Sequence, residues 1–151
     1  MTDQFTSSLQ KAFSSAQSSA HARGHAVVTP AHILLALLNV EGGVRPLLEG
    51  CGVNLSDLKT TLQAWLGRQP RVDGATTELD YSNETKRLLQ AAQKLAKQRN
   101  DKFISAEMFL LACAQDRADT GSLLQSAKVN AKALEEAIAS IRQGDSLESE
   151  D

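Results

Sequence analysis

Cysteine is scarce. Cys51 and Cys113 are the only two in 151 residues, far apart, with no CxxC pair and no histidine at ligand spacing. That pattern excludes a disulfide-stapled scaffold and fits two reduced, packed thiols. An excess of charge of either sign is also missing. Sixteen basic residues face eighteen acidic ones, a formal net charge of -2, so no bulk field draws the chain to nucleic acid or to an anionic membrane. No apolar run approaches the roughly 20 residues that span a bilayer, and MTDQFTSSLQ at the N-terminus has neither the charged nor the apolar region of a secretory signal. The expectation is a cytoplasmic protein with no nucleic-acid and no membrane partner.

Signatures of chemistry are lacking too. There is no GxxxxGK[ST] or GxGxxG to cradle a phosphate, and no HExxH, EF-hand loop or GxSxG. His21 and His25 are four apart, but Gly24 ends the helix between them, which argues against a metal site. His32 lies in the first turn of its helix, where an imidazole serves as a polar contact. Neither cysteine has an assignable base and orienting acid. The expectation is a non-catalytic chain without metal or cofactor.

What is present is a duplication. Residues 5–67 written above 81–143 match without a gap, at a constant offset of 76 positions. Identical pairs include Ala16/Ala92, Gln17/Gln93, Leu34/Leu110, Leu35/Leu111, Leu48/Leu124, Asn54/Asn130 and Leu58/Leu134. Most are apolar, so the two copies preserve one core. Two copies are too few for a solenoid and predict a pseudo-twofold pair packed on itself.

Each copy reads as four helices. The first, about Thr6 to Arg23, places Leu9, Ala12, Phe13, Ala16 and Ala20 on one face; its partner, about Asn83 to Arg99, does so with Leu88, Leu89, Ala92, Leu95 and Ala96. Gly24 and Asn100 follow as left-handed stops. VVTPAHILLA (27–36) and FISAEMFLLA (103–112) then repeat one event: apolar residues end a loop, Thr29 or Ser105 caps, and an apolar central helix follows. Phe103 and Phe109 are expected in the duplicated core. A short third helix carries Leu47 and Leu48, or Leu123 and Leu124. The fourth, capped by Asn54 or Asn130, carries Leu58, Leu62 and Trp65, or Leu134, Ile138 and Ile141.

No segment alternates like a strand, so the fold class is all-α. The division is repeat 1 over 1–67, a surface linker over 68–80, repeat 2 over 81–142, and an acidic tail over 143–151 leading to modules outside this chain. The helix over 86–99, with Lys86, Arg87, Lys94, Lys97 and Arg99, is basic and amphipathic. It reads as the solvated face of a core helix, with a membrane-surface or calmodulin-like role as the other reading.

The doubled repeat, the segment HILLALLNVEGGVRPLLEGCGV, the linker RQPRVDG and the block KLAKQRNDKFISAEMFLLA together resemble the amino-terminal domain of Clp-family unfolding machines, most closely the ClpB-type disaggregases. The resemblance runs over about 5–144. It implies a small all-α pseudo-dimer, monomeric alone and tethered to an ATP-driven hexameric ring, with ATP and magnesium bound by modules absent here. It also implies a cytoplasmic machine that extracts unfolded or aggregated polypeptides together with the DnaK system. By the same resemblance, Thr6, Asp101 and Glu107 handle substrate, and Leu89, Leu95 and Met108 fall at positions of an apolar groove. Ala91 departs from the family pattern and would make that groove shallower. Read from the residues alone, Thr6 is a helix cap and Leu89 and Leu95 fall on the core face. Met108 stands where the first copy has His32, which predicts a partly exposed face suited to a pliable thioether. A rival reading is adaptor docking, as in ClpA and ClpC relatives, through the charged surface around Lys94 and Lys97. An independent enzyme has no motif behind it.

Overall fold

The structure is a computed structural model that describes residues 4–40, 43–72 and 79–142. Residues 73–78 of the expected linker and the expected acidic tail over 143–151 lie outside the described residues. Along the chain run α1 (Ser7–Ala22), β1 (Val27–Val28), α2 (Pro30–Leu38), α3 (Arg45–Gly50), α4 (Leu55–Gly67), β2 (Asp80–Tyr81), α5 (Asn83–Gln98), α6 (Ala106–Gln115), α7 (Asp119–Ser126) and α8 (Ala131–Arg142).

The caps explain where the helices begin. Thr6, Ser82, Asn54, Ser105 and Asn130 each accept a backbone N–H three residues on through the side-chain oxygen, at 2.8 to 3.4 Å. Thr29 differs, because its hydroxyl lies 2.8 Å from His32 Nδ1, while its own N–H donates to that nitrogen at 2.9 Å. The first helices stop at matching left-handed residues, Gly24 (φ 72°) and Asn100 (φ 60°).

The two copies are crossed rather than merely adjacent. β1 pairs in parallel with β2, matching Val28 with Tyr81, and Phe5 bridges Ile104 in the same sense. These pairings are mates under the 76-residue offset. The Val28 carbonyl accepts from the Ser82 N–H and the Ile104 carbonyl accepts from the Thr6 N–H, both at 3.0 Å. Each copy therefore lays the residues before its first helix beside the other copy's second-helix entry. Pairings this short carry no alternating pattern, which is why strand character was invisible in the sequence.

One core serves both copies. Phe13 sits in it with ring centroids 4.9 Å from Phe5, 5.4 Å from Tyr81 and 5.8 Å from Phe109, mostly in tilted or edge contacts. Helices α2 and α6 are buried almost all round and lie centrally, as their apolar sequences required. Two expectations fail. Phe103 is only half-buried, with the Lys102 ammonium 5.9 Å above its ring, and Ile141 is 66% exposed on α8. Phe103 lies in the loop before the cap, where helical periodicity places nothing. The linker runs on the surface over 68–72, tied back where the Val72 N–H donates to the Gly24 carbonyl at 2.7 Å. The surface expectation also fails at Leu79, which is buried in the core with its N–H and carbonyl both bonded to the Gln17 side chain.

Candidate functional site

The residues singled out from the sequence separate into three settings. Leu89 and Met108 are in the core, 4% and 0% exposed. The partly exposed face expected for Met108 is therefore corrected. Its mate His32 is also buried, at 1%, so a polar residue there signalled an internal hydrogen bond and not solvent.

Thr6, Asp101 and Glu107 converge on the loop between α5 and α6. Thr6 is buried, caps α1 and is fastened to Ile104 by its backbone. The Asp101 side chain has no exposure; Arg142 Nη1 at the end of α8 donates to it at 2.5 Å. The other arm of Arg142 reaches Ser105 Oγ at 3.5 Å and Glu107 Oε1 at 3.8 Å. One guanidinium thus gathers the loop, the α6 cap and the first-turn carboxylate, with the acidic group placed where the helix N-terminus favours it. Arg142 was missed from the sequence, although a signal existed. It is the mate of buried Leu66, and Asp101 is the mate of His25. Two apolar-or-neutral positions turned into an ion pair in one copy only.

In the first copy the same place holds two imidazoles. His25 Nδ1 and His32 Nε2 lie 2.8 Å apart, and because the Thr29 N–H donates to His32 Nδ1, the proton between the rings belongs to His32 Nε2. Burial, then His25 and Arg23, hold the His32 pKa down to about 4. Burial, with Arg23 and Arg71, also lowers His25. Burial raises both cysteine thiols, Cys113 most, so they stay protonated and are poor nucleophiles. No cluster of three or more potential metal ligands occurs among the described residues, and no helix there is long and apolar enough to cross a membrane.

Leu95 lies elsewhere, half-buried in an open groove of about 710 Å³ between α5, the end of α6 and the turn into α7. Ala91 and Ala112 supply apolar wall beside it, with Glu135 of α8 on the far side. One end is closed by Asp116. Its buried carboxylate takes Arg87 Nη2 at 2.9 Å and accepts the Gly121 N–H at 3.2 Å, which pins α5 to the start of α7. Gly121 permits that closeness, since a Cβ there would meet the Asp116 carbonyl oxygen at 1.7 Å. Arg87, Asp116 and Gly121 were not foreseen, because sequence spacing carries no sign of a contact between turns.

The offset places a matching recess in the first copy, lined by Ser15, Ser19, Ala36 and Asn39, of only about 170 Å³. Ser15 and Ser19 are the mates of Ala91 and Leu95. The two recesses share a backbone and both carry some apolar wall, Leu35 and Val40 in the first and Leu88 in the second; the second is larger and has Ala91 and Leu95 where the first has Ser15 and Ser19. Helix α8 links that groove to the Arg142 cluster, since Glu135 and Arg142 are seven residues apart, two turns along one face at about 10 Å.

Comparison with known proteins agrees with this architecture. The family described as the Clp repeat (R) N-terminal domain matches residues 4–127. The chaperone protein ClpB of Pseudomonas putida is 41% identical over 143 residues, which are 94% of this chain and 17% of that protein. This chain thus spans less than a fifth of the length of the curated relatives it matches. The Hsp104 N-terminal domain from Candida albicans superposes with a TM-score of 0.86 at 18% identity, over 98% of this chain and 97% of that one. A ClpV N-domain in complex with a VipB peptide does so with a TM-score of 0.73 at 21% identity, over 94% and 89%. At those identities the structural likeness establishes the fold, and the family match does the rest: this chain belongs to the Clp repeat N-terminal domain family, that of the ClpB chaperones.

Proposed function

We propose that this chain is the substrate-recognition domain of a ClpB-type disaggregase, non-catalytic itself, that binds exposed apolar segments of unfolded or aggregated polypeptides and passes them to an ATP-driven hexameric ring. The observation that carries this reading is the asymmetry of the two grooves, with Ala91 and Leu95 where the first copy has Ser15 and Ser19. The Ala91 and Leu95 side chains pack against the core on one side and leave part of their apolar surface open to the groove, which suits contact with an apolar segment. In the same reading Thr6, Asp101 and Glu107 act by holding the α5–α6 loop and α8 in place, and Leu89 and Met108 belong to the core that supports them. The parent acts in the cytoplasm with the DnaK system, and the isolated domain is a monomer. Weak binding suits the task, because a tethered domain works at high local concentration and must release its cargo. The test is titration of the 151-residue chain with a permanently unfolded protein, before and after Ala91→Ser with Leu95→Ser. Undiminished affinity in the double variant, with its fold intact, would reject the site.

A second reading is docking of a folded adaptor, as in ClpA- and ClpC-type unfoldases. It is favoured by exposed Lys94 and Lys97 on α5 and by the peptide held by the ClpV N-domain. A single stoichiometric folded partner released by high salt would support it over the first.

A further inference from the structure

The charges around the α5–α6–α7 groove do not cancel. Its two carboxylates are both engaged: Asp116 is buried against Arg87, and Glu135 meets Arg99 at 3.5 Å. Lys94 on one wall and Arg117 on the turn are exposed, and neither has a carboxylate within ion-pair distance among the described residues. The chain as a whole carries a net charge of -2, so the groove is locally of opposite sign to the protein that bears it.

The duplication shows that this is not inherited from the repeat. The mates of Lys94 and Arg117 are Ser18 and Glu41, so the second copy has gained a positive charge at one position and exchanged negative for positive at the other. These changes accompany the replacement of Ser15 and Ser19 by Ala91 and Leu95. Apolar wall and uncompensated cations thus appear together, in the same copy, on the same groove.

We infer that the groove selects apolar polypeptide segments flanked by a carboxylate, an aliphatic or aromatic side chain entering against Ala91 and Leu95 while a neighbouring Asp or Glu meets Lys94 and Arg117. The inference rests on the proposed substrate groove and specifies its ligand. Two solvent-exposed ion pairs change affinity modestly and confer order and rate more than strength. The expected preference is about threefold to tenfold over a segment with basic flanks, shrinking toward unity as salt screens it.

The experiment uses three peptides with one common apolar core and flanks of glutamate, serine or lysine. Each is titrated into the 151-residue chain, with binding followed by peptide fluorescence anisotropy and by amide shifts of α5. The inference expects the order glutamate, serine, lysine, and its reversal in a Lys94→Glu, Arg117→Glu variant. Equal affinity for all three peptides, with shifts at Ala91 and Leu95, overturns the charge selection and leaves the groove standing. Binding in that order with no shifts on α5 places the selection at another surface and also overturns it. If no peptide binds at all, the substrate-groove reading fails and this inference fails with it.

Discussion

Arg142 Nη1 lies 2.5 Å from the Asp101 carboxylate, whose side chain has no exposure, so the last described turn of α8 is fastened to the loop between α5 and α6. Arg142 keeps 12% of its own side chain exposed. The two ends of the pair are therefore unequal. Removing the arginine takes a charge-assisted partner from a buried carboxylate, whereas removing the aspartate leaves a cation that can turn to Glu107 or to water.

The order of damage follows. Arg142→Leu, which restores the apolar residue found at 66, is expected to lose about 3 kcal/mol, and Asp101→Ala about half as much. The double variant should fall short of the sum by 1 kcal/mol or more, as roughly expected for directly paired groups. Urea unfolding of the four proteins checks this. Equal losses that simply add would mean the pair does not form in solution.

Stability should depend on pH through the His25–His32 pair. Both groups are held below the ordinary histidine value, His32 at about 4 against 6.5. Above pH 6.5 both folded and unfolded chains carry them neutral, and nothing is lost. As pH falls from 6.5 toward 4 the unfolded chain takes up protons the folded one refuses, so stability declines through that window. At full expression the His32 gap is worth roughly 3 kcal/mol. His32→Met, the residue its mate position already carries, should flatten the slope between pH 7 and pH 4.5. An unchanged slope would assign the acid sensitivity to other groups.

Gly121 packs tightly against Asp116, which lines the groove. Gly121→Ala drives a methyl into the Asp116 carbonyl at 1.7 Å, so the turn must move and the Arg87–Asp116 contact with it. A loss of about 2 to 4 kcal/mol is expected. Gly67→Ala is the control, since no atom lies within 4 Å of its Cβ and its φ is ordinary; it should be neutral or stabilise by up to about 1 kcal/mol. Thermal unfolding of both variants decides, and equal behaviour would contradict the account of the wall.

The fold was legible because its signals are local and doubled. Caps, left-handed stops and the spacing of Leu9, Phe13 and Ala16 each appear twice, so one copy checks the other. The crossed pairing of Phe5 with Ile104 was not legible, since two-residue contacts between distant segments leave no period. The site was legible only in part. Leu95 and Ala91 line the groove proposed as the site, whereas Met108 misleads, because its polar mate His32 suggests exposure while being buried and bonded to His25. Arg142 and Asp116 act through long-range ion pairs, and nothing in their neighbourhood along the chain marks the partner. Comparing the copies for charge, as at Leu66 against Arg142 and at Ser18 against Lys94, is the reading that would have found more.

The central claim is that substrate enters the groove at Ala91 and Leu95 and leaves its twin at Ser15 and Ser19 empty. Amide chemical-shift mapping of the 151-residue chain during titration with a permanently unfolded protein tests it most directly. The account expects perturbations along α5 and the α6–α7 turn, few on α1, and their loss in Ala91→Ser with Leu95→Ser. Shifts spread evenly over α1 and α5, or undiminished in the double variant, would contradict it.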